Sequence, residues 1–207
     1  MTDTKTVLSK FEQTVAHYER ELERYDLEQL TRKPGEEEWS LGQMYMHLIR
    51  SSLFMQLANV DACRKEGLDS GAPVSGVPGT REAAVAASSA PGATAATAAG
   101  KTEQGAALFA MGSFPPEPVR VPPSPQYTPP QPESKDELAQ GLRQVLARMR
   151  ELEPALAHIP PERTRPHPRL GGLNAVEWFL LVEMHYRHHL LQKARLDAFL
   201  GMEPAAG

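Results

Sequence analysis

Residues 174–200, NAVEWFLLVEMHYRHHLLQKARLDAFL, limit the fold more than any other stretch, because no proline or glycine interrupts them. Asn174 is a good N-cap, and Glu177 three residues later completes a capping-box pattern. Gly201 stands where a helix ends in a left-handed residue, and Arg195 lies near the negative end of the dipole. The spacing predicts one helix about 40 Å long at 1.5 Å per residue. Trp178, Val182, His185, His189 and Gln192 share one stripe of it, which is expected to face inward. His185 and His189 are four residues apart. That spacing stacks two imidazoles about one turn apart, where they can share one metal ion. His188 is turned about 60° from His185 and about 100° from His189, so it is expected to point sideways.

A third imidazole comes from WSLGQMYMHLI, residues 39–49. Ser40 reads as an N-cap and Gln43 as its capping-box partner. His47 lies two turns in, on the stripe Met44, Leu48, Ser51, Met55. Spacing alone leaves two readings of the three histidines: a metal site, or a polar network in the core.

The rest of the chain divides around these helices. In residues 3–31, Val7, Phe11, Val15, Tyr18, Leu22 and Tyr25 recur at helical steps, and Pro34-Gly35 ends that helix. A second helix runs from about Leu41 to Glu66. Cys63 is sixteen residues from His47, about 24 Å along a helix, and reads as a small buried or semi-buried thiol. Twelve of the nineteen prolines fall within 67–133, a Pro/Gly/Ala-rich insertion. Residues 70–100 are nearly all small and are expected to be flexible. The second half, with Phe109, Met111, Phe114, Val119, Val121 and Tyr127, is expected to lie extended across the helices and cover one end. The segment PPSPQYTPPQP reads as a connector that packs down, rather than a polyproline ligand. A third helix starts at Ser134 with Glu137 as box partner, Pro154 kinks or ends it, and 155–173 reads as a loop. Four helical segments in one domain, 1–207, predict an all-α four-helix bundle with a long crossover between helices 2 and 3.

Net charge of −4 and the lack of a basic stripe argue against nucleic-acid contact. No apolar run is long enough for a membrane span or a signal peptide. With one cysteine, this predicts a soluble cytoplasmic protein without disulfides.

The pattern Trp39-Ser40 followed by His47, then His167-Pro168, Gly172, Leu173, Glu177-Trp178, His185, His188-His189 and Gln192, resembles the DinB/YfiT-like metalloenzyme family. The likeness covers about 1–66 and 134–200, and the 70–100 insertion departs from it. It implies one divalent ion held by His47, His185 and His189 in a four-helix bundle with a crossed connection. It also implies a homodimer and, as in some relatives, thiol S-transferase chemistry. Three neutral imidazoles leave an ion its full charge and an open position. Such an ion lowers the pKa of a bound thiol or water. The expected function is metal-dependent transfer of a low-molecular-weight thiol to a small-molecule electrophile. The alternatives are a metal-dependent hydrolase using activated water and a non-catalytic metal-binding stress-response or interaction bundle. Tyr186 stands where a protease-like helix would carry its glutamate, which disfavours that mechanism. Imidazole ligands suit zinc or nickel first, and also iron, manganese or copper. His167, Gln43 and Gln192 are the candidates for substrate contact, and Arg187 for an orienting role.

Overall fold

A computed structural model of the chain describes residues 3–65, 100–115 and 128–202. They are mostly helical. Helix α1, Thr4–Leu22, starts under Asp3, whose carboxylate accepts from the Lys5 and Thr6 amides. The helix expected to reach residue 31 ends early. Asp26 and Gln29 form a capping box of their own, which starts a separate turn, α2, Leu27–Thr31. The expected second helix is present as one helical run with a change of pitch. It comprises α3, Leu41–Ser51, a π-turn at Ser52–Gln56, and α4, Leu57–Arg64. The Ser40–Gln43 box forms as expected.

Two expectations for the connecting segments are overturned. Part of the stretch expected to be extended is instead a helix, α5, Glu103–Met111. Thr102 caps it by accepting from the Gly105 amide, and Gly112 ends it at φ 64°. The expected loop 155–173 holds regular structure. A 3-10 turn, Glu153–His158, follows α6, Lys135–Leu152. Then β1, Thr164–His167, pairs antiparallel with β2, Gly171–Asn174. The physical reason lies at its tip, where His167 Nδ1 accepts from the amides of Arg169 and Leu170, both at 3.1 Å. The imidazole thereby closes the turn that composition alone hides. The last helix, α7, Ala175–Phe199, carries the expected Asn174–Glu177 box.

Helix α1 packs on α6 and α7, α3 on both α6 and α7, and α4 on α7. Phe11, Tyr18, Tyr45, Met149, Trp178 and Tyr186 are fully buried between them. Three tyrosines fix the registers. Tyr18 donates to the Tyr186 carbonyl at 2.9 Å and Tyr45 to the Tyr18 carbonyl at 3.0 Å. Their rings meet edge to face, with centroids 5.3 and 5.6 Å apart. Among the described residues no helix is long and apolar enough to cross a membrane. The 70–100 segment expected to be flexible lies almost wholly outside the described residues, as do Val119, Val121 and Tyr127. Of the proline-rich connector, residues 128–132 are described; Pro129 and Pro132 are buried and Pro130 is exposed.

Candidate metal centre

Two helices bring three imidazoles together. The α3 capping box sets the start of that helix, so His47 emerges two turns later toward α7. His185 Nε2 stands 3.0 Å from His47 Nε2 and 3.1 Å from His189 Nε2. One ligand atom of each of the three lies within 4.8 Å of the others. Two nitrogens bound to one ion at about 2.0–2.1 Å stand about 3.0 Å apart at right angles and about 3.4 Å apart in a tetrahedron. The observed spacing fits that requirement. Among the described residues no carboxylate or thiol joins the group.

The electrostatics suit the same role. Burial holds His47 down to about 4 and His189 to about 3, the latter helped by the charge of His47. Burial, then His189 and His47, push His185 well below the ordinary range. All three rings are therefore neutral near pH 7 and offer lone pairs. Around them, Gln192 accepts from His189 Nδ1 at 2.7 Å, which puts the His189 lone pair on Nε2. The His185 Nδ1 side faces Gln56 and Ser51 at 3.4 and 3.5 Å.

Aromatic rings border the cluster. Trp39 lies 5.0 Å from His47 between centroids. Phe114 lies 6.3 Å from His185 and 5.2 Å from His188. Phe114 follows α5, and several bonds hold that segment against the hairpin and α7. The Thr102 amide donates to the Leu170 carbonyl, the Gly172 amide donates to the Gly100 carbonyl, and Lys101 pairs with Glu177. Gly171, at φ 81°, lets this happen, since a Cβ there would sit 2.5 Å from the Gly100 carbonyl oxygen. Arg187 pairs with buried Glu183 and donates to the Gly112 carbonyl at 2.8 Å.

The other candidates fall in distinct places. His188 stands beside the cluster but outside it, half-buried, its pKa lowered by burial and then by Arg195. His167 closes the hairpin turn, with its ring 5.3 Å from Trp178. Gln43 uses both ends of its amide on backbone, accepting from Ser40 and donating to Pro129. Gln192 supports His189, and Arg187 holds the α5 segment. Cys63 is buried at the far end of α4, its thiol pushed up to about 11.

Gln56 was missed by the sequence reading. On an unbroken α-helix it points about 180° away from His47, and only the π-turn brings it round. No local signal announces that turn.

An all-helical core with imidazoles from two facing helices places the chain in a class of helical proteins whose core could hold a metal ion. Within that class, the family model of the DinB superfamily matches residues 10–192, and the chain belongs to that superfamily. No curated protein and no solved structure matches the chain.

Proposed function

We propose that the protein is a metal-dependent enzyme that transfers a low-molecular-weight thiol to a small electrophile. The observation that carries this reading is the convergence of the Nε2 atoms of three neutral imidazoles, with no carboxylate beside them among the described residues. A divalent ion held by His47, His185 and His189 keeps its charge and lowers the pKa of a thiol or water bound to it. The chain's own residues do the rest. Gln192 keeps the His189 lone pair aimed inward, and Trp39 and Phe114 keep apolar surface beside the cluster. Tyr186, not a glutamate, follows His185, so α7 does not carry the adjacent base that a protease-like helix offers to water. That favours thiol transfer over the hydrolase alternative, because a thiol needs less help to ionise. A non-catalytic metal-binding bundle is the third reading.

The same proposal takes the finer architecture to be a four-helix bundle with its crossover between helices 2 and 3. It takes the chain to be one domain acting in the cytoplasm as a homodimer, with zinc or nickel as the ion.

Elemental analysis of purified protein beside His47→Ala tests the site. About one ion per chain, lost in the variant, is the expected result. Failure to take up added zinc or nickel would sink the enzyme reading. For loaded protein, an electrophile consumed only when thiol is present supports transfer. Consumption without thiol replaces transfer with hydrolysis.

A further inference from the structure

The π-turn at Ser52–Gln56 is the one irregularity in the helix that carries His47. Turns of this kind insert one residue and recur at functional sites. Here the insertion gives Gln56 the inward position that an unbroken helix would give to Met55. Gln56 is 2 % exposed. Its amide nitrogen faces His185 Nδ1 at 3.4 Å, and its oxygen accepts from Ser52 Oγ at 3.1 Å.

This arrangement has a consequence for His185. A neutral imidazole that accepts at Nδ1 carries its proton on Nε2. That Nε2–H then lies 3.0 and 3.1 Å from the Nε2 atoms of His47 and His189. It donates to one of them, and the cluster is closed by its own hydrogen bond. A half-turn of the Gln56 amide exchanges oxygen and nitrogen without changing its shape. His185 Nδ1–H then donates to the Gln56 oxygen, the amide nitrogen donates to Ser52 Oγ, and Nε2 presents a lone pair. Ser51 suits this second state, because its single proton goes to the His47 carbonyl at 2.6 Å. Its lone pairs are left facing Nδ1 at 3.5 Å. His189 is already in the open form through Gln192. Of the two cluster imidazoles on α7, His185 is the one whose Nδ1 faces an amide nitrogen.

We propose that Gln56 is a positioning residue that latches His185. With its nitrogen toward the ring it closes the three-histidine site, and with its oxygen toward the ring it opens the site to a metal ion. The opening half rests on the metal reading above.

The test is nitrogen-15 NMR of the His185 ring in wild type, Gln56→Glu and Gln56→Met at neutral pH. Each protein is measured with and without one equivalent of zinc, and zinc affinity is measured alongside. A glutamate side chain has only acceptors, so Gln56→Glu should hold the Nδ1–H form before zinc is added. Wild type should move from Nε2–H to Nδ1–H on adding zinc. Gln56→Met, close in volume but without a partner for Nδ1, should bind zinc about 10–100-fold more weakly, and Gln56→Glu should restore the affinity. The same ring tautomer in all three zinc-free proteins would overturn the latch, as would equal zinc affinity for Gln56→Met and wild type. If no protein takes up zinc but Gln56→Glu still moves the proton, the latch stands and the metal reading fails.

Discussion

At the scale of single residues, the neighbouring histidines of α7 have separable roles. His185→Ala and His189→Ala should lose zinc uptake while keeping their helical signal, whereas His188→Ala should retain the ion. Equilibrium dialysis against zinc checks this, and loss of metal from His188→Ala alone would reverse the assignment of faces. These positions were legible because a 3.6-residue repeat fixes which side chains share a stripe. Another residue-scale feature was not. Lys193, 3 % exposed, reaches Glu21 and Asp197 at 2.7 Å and Tyr25 at 2.9 Å. Burial works against ionised Glu21, but the hydrogen bond and charge of Lys193 outweigh it and hold its pKa down. In sequence, Lys193 and Asp197 one turn apart on α7 and Glu21 on α1 look like two solvated faces, and only the docking of α1 on α7 turns them toward each other. Lys193→Met should leave two carboxylates without their shared cation and destabilise the fold by about 3–5 kcal/mol. Urea unfolding measures it, and an unchanged midpoint would show that the triad contributes no stability.

At the scale of elements, close approach is what the sequence concealed. Gly42 lies where a Cβ would meet Pro132 Cγ at 2.6 Å and the Leu30 carbonyl oxygen at 2.8 Å. Gly42→Ala should therefore cost about 1–3 kcal/mol by overpacking, seen as a lower melting temperature. The helix caps at Ser40 and Asn174 were readable because each is a local four-residue pattern. Helix α5 was not. Most of its sequence EQGAALFAM favours a helix, but nine residues ahead of a run of prolines are too few to be helical alone, so tertiary bonds to the hairpin hold it. The hairpin itself carries proline and two glycines where strand formers are expected. Arg187 ties α5 to α7, so Arg187→Ala should speed hydrogen exchange at residues 103–114 relative to α6. Unchanged exchange there would mean that the Gly112 contact does not restrain the segment.

Across the whole molecule, several partly buried imidazoles act together. His47 and His167 are held down to about 4 and His189 to about 3, in each case chiefly by burial, against about 6.5 in an unfolded chain. Between those values the unfolded state binds protons that the folded state does not, so stability rises with pH there. The ion-free protein should be fully stable above about pH 6.5 and lose stability progressively as pH falls toward about 4. Urea midpoints across that range check the sign, and a flat profile would contradict it.

The three converging nitrogens belong to helices more than a hundred residues apart in the chain, His47 on α3 and His185 and His189 on α7. An ion bridging them exists only in the folded chain, so its binding energy adds to folding stability. At a free concentration one hundred times the dissociation constant, that addition is about 2.7 kcal/mol. The melting temperature then becomes a gauge of ion supply, and a cell starved of the metal would hold less of the protein because more of it would be open to proteolysis.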